Sequence, residues 1–334
     1  MGGRRALKTV LQLALLALGI LICGALLHFG DLSVLPGPDD LALAPLVGGL
    51  ATTTGIVLCV ALRWGSISNA LGGERLATWH EYYFYFVGCQ LVSLAVPKDL
   101  ADLGGRTIWL RQAHKVPIAR AGTSVVIDRL CDLFITLIFL VAVAPHWLGL
   151  VSAPTAVLLM GCWTLVGFLV LYFRHGVILH RVEQLARWGT GLLARLPTQA
   201  RLASEIPSLQ LIDRGLSVRL FVLSLCKFAC VVGSLVLFSL ALRVPVPAEL
   251  LLLGAPVAQV TYLFAFTPGG LGIFELGWFA ILTFGGVAAG VASVFVVSQR
   301  LITILWLGVL FVLSQSYLTL AATRVAMQTE RSRG

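Results

Sequence analysis

The sequence predicts an all-α polytopic membrane protein of two inverted-topology repeats, with about six full spans and two re-entrant helical hairpins, on three observations. First, the 334-residue chain is 58% hydrophobic and only 12% charged, with a mean hydropathy of +0.95. A soluble domain carries about a quarter charged residues. Second, apolar runs recur at roughly the 20 residues a helix needs to cross a hydrocarbon core. Third, Pro97 and Arg129 are 32 positions apart, as are Pro268 and Arg300, so one offset of 171 carries each pair onto the other. At that offset Leu100 meets Leu271, Val125 and Val126 meet Val296 and Val297, and Leu130 meets Leu301. Two copies in opposite orientation are the usual plan of a secondary transporter.

Full spans are expected at about Thr9–Phe29, Leu43–Leu62, Ala121–Ala144, Ala153–Phe173, Arg219–Leu242 and Gly290–Ala322. The first exceeds the apolar core of a signal peptide and no A-x-A cleavage site follows, so it reads as a retained span. Trp79–Pro117 and Ala248–Val287 are interrupted by proline and glycine and read as hairpins. Lys and Arg set the orientation. Arg4, Arg5 and Lys8, then Arg63 and Arg75, then Arg106, Arg111, Lys115 and Arg120, then the 174–219 stretch, and finally Arg324, Arg331 and Arg333 mark the cytoplasmic side. The loops holding Asp31, Asp39 and Asp40, and Pro145–Ser152, have no Lys or Arg and lie outside. Both termini are thus expected in the cytoplasm of an inner-membrane protein, with the two hairpins entering from opposite sides. A single membrane domain, 1–334, contains repeats at 9–144 and 153–322 and a cytoplasmic connector at 174–218. In that stretch Ile178, Val182, Leu185, Leu192 and Leu196 recur at helical spacing, away from Arg181, Arg187 and Arg195. The pattern suits a basic amphipathic helix on an anionic leaflet or a plain connector.

Charge inside the spans is the informative chemistry. Arg129 and Arg300 sit roughly 13–15 Å into their spans at the helical rise, where an arginine costs about 2.5–3.5 kcal/mol on insertion scales. Arg129 has Asp128 beside it and Asp132 three residues on, so local neutralisation is a sufficient account. Arg300 has only Gln299 and Thr303 nearby; its partner comes from elsewhere, and Glu275 is the nearest charge. In Thr267–Glu275, Pro268, Gly269, Gly270 and Gly272 break a helix. Freed backbone is tolerated at membrane depth only inside protein or beside a cavity. An ordinary turn with an acid at the next helix start is the plain reading, and a substrate or ion path the sharper one. The counterpart is Pro97–Arg106, where Asp102 and Arg106 share a helix face. Trp79–Phe86 reads as an interfacial aromatic belt or a sugar-stacking face.

Signatures of soluble enzymes are missing: no G-x-S-x-G, H-E-x-x-H or P-loop. The seven cysteines fall in apolar stretches, and Cys226 and Cys230, though on one face, have no acid or histidine at ligand spacing. No metal, no cofactor and no nucleic acid is expected; the net charge of +9 reports orientation.

The run Pro268-Gly269-Gly270-Leu271-Gly272-Ile273-Phe274-Glu275, followed by Arg300, resembles the late signature of the membrane domain of lysylphosphatidylglycerol synthases, a flippase-like family also found as stand-alone membrane proteins. Pro97, Asp102, Arg106 and Asp128-Arg129 resemble its early signature, with Ala101-Asp102 where a Gly-acid pair is more usual. The likeness covers about residues 10–320. The sequence ends at Gly334 without the soluble aminoacyltransferase domain of the full-length synthases, so the resemblance implies lipid translocation and no enzymatic activity. Arg106, Arg129, Glu275, Arg300, Asp102, Pro268, Gly269 and Gly270 are the expected substrate-binding set around one polar cavity, with arginines on a phosphate. The expected partners are an anionic lipid or lipid-linked sugar, and an enzyme of envelope-lipid synthesis. Two other classes compete. One is a membrane glycosyltransferase using a polyprenyl-phosphate sugar, with Asp31 or the Asp39-Asp40 pair as catalytic acids. The other is a non-transporting partner of an envelope-lipid enzyme.

Overall fold

The computed structural model describes residues 17–26, 41–72, 75–193, 212–262 and 267–331, with the single positions 28, 30 and 37. Among these residues the regular elements are helices: α1 (Ala17–Leu26), α2 (Leu43–Gly72), α3 (Trp79–Val92), α4 (Lys98–His114), α5 (Ile118–Trp147), α6 (Ala153–Leu193), α7 (Arg214–Ala241), α8 (Ala248–Tyr262), α9 (Ile273–Phe284) and α10 (Ala289–Arg331). Four of them, α2, α6, α7 and α10, contain stretches long and apolar enough to cross a membrane. The protein is an all-helical polytopic membrane protein. α5 is as long as α2 and carries Asp128, Arg129 and Asp132 in its middle.

The tightest helix pair is α2 against α7, which run antiparallel: Ala42 N–H donates to Ala241 O at 3.1 Å, and Arg63 near the other end reaches Ser224. Small residues permit the approach. A side chain on Gly49 would fall 2.6 Å from the Phe238 ring, and one on Gly55 3.0 Å from Cys230 Sγ. Between helices in lipid there is little hydrophobic drive, so close backbone packing of this kind carries the association. Cys230 is a packing residue here, and all seven thiols are free.

Around this pair the core divides. One cluster joins α5, α7, α8, α9 and α10 through residues such as Phe139, Phe238, Leu251, Trp278 and Phe295. A second, around Trp64, Tyr82, Leu110 and Val125, joins α2, α3, α4 and α5. Trp64 and Tyr82 meet edge to face with centroids 4.9 Å apart, and Tyr85 stacks on Trp109 at 4.7 Å. The expected aromatic belt is therefore split. Tyr82 and Phe86 are buried, while Trp79 is exposed and His80 stacks on Tyr317. Fourteen residues of α3 present more than one face, and the inner one serves packing.

Both interrupted segments fold as helical hairpins, α3–α4 and α8–α9. α3 opens with a capping box in which Glu81 Oε2 accepts from Thr78 N–H at 2.6 Å. It stops at Ser93, and Pro97, which has no N–H to give, starts α4. In α8, Pro256 loosens the helical ladder, and one turn upstream Leu253 O accepts the Trp147 indole N–H at 3.1 Å. α9 starts after a turn in which Gly269, Gly270 and Gly272 all have positive φ, +63°, +70° and +83°.

Several helices overrun the expected spans: α2 ends at Gly72, not Leu62, and α10 at Arg331, not Ala322. Residues 174–193 of the expected connector continue α6 without a break, and 194–211 lie outside the described residues. Of the first span only 17–26 and 28 are described.

The second hairpin turn is closed by α1. A Cβ on Gly272 would lie 2.9 Å from Ile22 Cβ and 3.2 Å from Gly19 Cα, besides forcing an alanine to φ +83°. Gly272→Ala is expected to destabilise the fold by at least about 1–2 kcal/mol, the cost of the left-handed region alone. Gly161→Ala in α6, with open space around it, serves as the neutral control. Thermal unfolding of both variants in detergent checks the difference, and equal melting temperatures would contradict it.

Candidate functional site

The two hairpin tips meet. Pro97, the first residue before α4, and Pro268, in the turn before α9, pair as an isolated antiparallel bridge. Around the contact, a side chain on Gly269 would fall 3.1 Å from the Leu94 side chain. Each tip is backed by an arginine from the helix that follows its hairpin, and each arginine reaches back to an acid on the hairpin's second helix.

In the second hairpin the acid is Glu275, fully buried in the first turn of α9. Its Oε2 accepts the Gly272 N–H at 2.6 Å, and its Oε1 lies 3.1 Å from Arg300 Nε. Arg300, on α10, also donates an Nη to the carbonyl of Gly269. The guanidinium thus ties together the acid and the irregular backbone that the glycine turn leaves unpaired. Thr267 closes the turn by donating its hydroxyl to Leu271 O at 2.7 Å. The Arg300 side chain keeps 13% of its surface exposed, so the pair is reachable.

In the first hairpin the acid is Asp102, which forms ion pairs with Arg106, whose Nε lies 2.6 Å away one turn along α4, and with Arg129 of α5. It belongs to a longer chain of alternating charges. Arg106 Nη1 meets Asp128 Oδ2 at 2.7 Å; Asp128 also accepts from Arg63 Nε; Arg63 Nη1 meets Asp132 Oδ1 at 2.6 Å; and Asp132 Oδ2 meets Lys227 Nζ at 2.6 Å. Phe86 and Trp64 cover the Arg106 guanidinium, with ring centroids 4.4 and 5.1 Å away. Such cation–π contact suits a desolvated arginine. The centre of the chain is dry, Arg63, Arg106 and Asp128 side chains being 1% exposed, whereas its ends emerge at Arg129, 38% exposed, and at Lys227, 18%.

Arg106, Arg129 and Asp102 of the expected set therefore come together, as do Arg300, Glu275, Pro268, Gly269 and Gly270. They form two clusters on either side of the tip contact. The local account of Arg129 gains a second acid. Arg129 acts electrostatically on Asp132 of its own helix and also forms an ion pair with Asp102 on α4, while Asp132 is further held by Arg63 and Lys227 and Asp128 by Arg63 and Arg106. Sequence reasoning missed Arg63 and Lys227 as site residues. Arg63 was read only as a marker of orientation, since the span was ended at Leu62. Lys227 stands alone inside an apolar run, which by itself is a sign of a functional or paired charge. Asp31, Asp39 and Asp40 lie outside the described residues.

Asp128 is the carboxylate on which the dry centre depends. Asp128→Asn leaves Arg63 and Arg106 facing each other without their shared acid, and breaking such a pair costs about 3–5 kcal/mol. Asp132→Asn, at a partly exposed end, is expected to cost clearly less. Unfolding of the two purified variants in detergent measures the ranking; a reversed order would mean that the centre of the chain is not the structural keystone.

The geometry, two broken hairpins meeting tip to tip with paired arginines behind them, was compared with known proteins. No curated protein and no solved structure matches the chain. The family model of the lysylphosphatidylglycerol synthase TM region matches residues 41–311, which takes in both hairpins and both arginine clusters. The chain belongs to the family of the lysylphosphatidylglycerol synthase TM region.

Proposed function

We propose that this protein is a flippase-like transporter, not an enzyme, that moves a phospholipid or a polyprenyl-phosphate-linked lipid across the cytoplasmic membrane. The observation that carries the reading is the Pro97–Pro268 bridge, with Arg129–Asp102 behind one tip and Arg300–Glu275 behind the other. An arginine that returns from the next helix to an acid on the hairpin, twice over, is what two inverted repeats at 9–144 and 153–322 would produce. Substrate sites in such transporters lie at the repeat interface, on discontinuous helices. With both termini in the cytoplasm, each hairpin faces one leaflet.

In the described conformation the tips touch and the arginines are occupied by carboxylates. Parting the tips on one side opens a path, and a lipid phosphate then competes with the carboxylate for the planar guanidinium. Arginine suits this exchange because it grips phosphate and carboxylate with the same bidentate fork. The hydrocarbon chains stay in lipid, so only the head group needs the polar route. Repeating the exchange with the other half delivers it to the opposite leaflet.

The first test separates holding from folding. Arg300→Lys keeps the charge and loses the fork, and Glu275→Gln is nearly isosteric. Both are expected to reduce lipid movement in proteoliposomes at least tenfold per folded molecule, with expression and melting measured alongside. Stable variants that move lipid at the wild-type rate would make the pair structural only.

The second test addresses tip movement. Paired residues of an antiparallel bridge have Cα atoms about 4.5–5.5 Å apart, within the span of a disulfide. In a background without the native cysteines, Pro97→Cys with Pro268→Cys is expected to cross-link under oxidation and to stop transport, with recovery on reduction. A cross-linked protein that still transports would rule out parting of the tips.

A further inference from the structure

A cleft of about 260 Å³ runs between α5, α6 and α7, apart from both hairpin tips. Its walls are aliphatic and aromatic, with Phe134, Leu171 and Leu220 among them, and Ser217 and Ser224 supply the hydroxyls. Leu130 and Leu137, which line it, are exposed, so it opens sideways toward lipid. Ser224 is where this apolar cleft meets the buried ion-pair chain. It lines the cleft, and its hydroxyl accepts Arg63 Nη1 at 2.8 Å. Lys227 stands one turn further along α7.

Two features give that junction an appetite for an anion. Arg63 and Lys227 both meet the single carboxylate of Asp132, and Arg63's other acid, Asp128, is shared with Arg106. In addition, Nη2 of the buried Arg63 has no hydrogen-bond partner, and an orphaned donor on a buried guanidinium is costly. We infer that the cleft is a lateral binding site for an anionic glycerophospholipid, one acyl chain lying between α5, α6 and α7 and the phosphate at Ser224 and Lys227. The modest positive surplus there is neutralised by a singly charged phosphodiester and would be exceeded by a polyprenyl pyrophosphate, which favours the phospholipid.

The site deepens the proposed transport and rests on it only for its purpose; occupancy itself is an equilibrium property. The test uses the full chain with Leu130→Trp as reporter in liposomes. The probes are phosphatidylglycerol or phosphatidylcholine with brominated acyl chains, which quench nearby indoles. The native protein has eight tryptophans, so the signal is the difference from the chain without the reporter. Brominated phosphatidylglycerol is expected to quench the reporter severalfold more effectively than the zwitterionic lipid. Lys227→Gln should erase the preference and Lys227→Arg keep it, with melting temperature measured alongside and quenching read at a temperature where both are folded. Equal quenching by the two lipids, or a preference that survives Lys227→Gln, would overturn the site as an ordinary lipid-facing surface. Displacement by a polyprenyl pyrophosphate at lower concentration than by phosphatidylglycerol would overturn the occupant. A native chain that shows no preference yet moves lipid removes this cleft and leaves transport standing; a native chain that shows the preference without lipid movement does the reverse.

Discussion

A charge in hydrocarbon must be neutralised at hydrogen-bond range, and the central architecture of this protein follows from meeting that demand with residues far apart in sequence. Arg63, Asp102, Arg106, Asp128, Arg129, Asp132 and Lys227 come from α2, α4, α5 and α7, and each carboxylate among them serves two cations. Because each acid is shared, the ion pairs link α2, α4 and α7 to one another through the carboxylates of α5. The hairpin helix α4 is bound to the α2–α7 pair through α5 in this way. Desolvation makes such a chain weak evidence for net stability, but it makes the arrangement specific: shifting α4 by one turn would break the Arg106–Asp128 and Asp102–Arg129 contacts together.

The second constraint is backbone. Where a helix stops inside a membrane protein, its free N–H and C=O groups need partners from protein. The two tips meet this differently. The first is a short turn, Ser93–Pro97, in which Leu94 and Ala95 N–H groups bond back to Leu91 and Val92 and proline removes one donor. The second is glycine-rich and relies on side chains, Glu275 on Gly272 N–H and Arg300 on Gly269 O. α1 then covers it at a distance only glycine allows. The two tips complete each other through the Pro97–Pro268 bridge.

These constraints meet in the transport reading. Carboxylates that hold arginines in place are also stand-ins for phosphate, since a guanidinium makes the same two parallel N–H···O bonds to the oxygens of a planar carboxylate and to two oxygens of a tetrahedral phosphate. On the proposed reading, a pair such as Arg300–Glu275 would be stable with its passage closed and exchangeable once a phosphate arrives. The lateral cleft adds what the tips lack, an apolar wall beside a cationic corner, so that a head group need not part from its chain.

The membrane class was legible in the sequence, because apolar length and the scarcity of charge are properties of composition. The two hairpins were legible as well, since Pro97 and the Pro268-Gly269-Gly270 run interrupt helix, whereas a lone Pro256 is carried within one. So was the need of Arg300 for a distant acid, from the lack of one on its own helix. Partner choice was legible only in part: Glu275 for Arg300 and Arg106 for Asp102 were expected and are found. Sequence neighbourhood offered Arg129 the acids of its own helix, and folding added Asp102, because α4 packs on α5 and brings an acid that no local spacing reveals. Arg63 and Lys227 joined the site for the same reason: each lies in an apolar span whose depth composition gives, but whose facing helix only the antiparallel packing of α2 and α7 decides. Likewise the aromatic run of α3 was read as one belt, and its division into a buried and an exposed face came from Trp64 and Trp109, which occupy other helices. Local chemistry determined where the chain breaks, where charge is buried and that Asp102 and Arg106 share a face; tertiary packing decided which charges from different helices meet.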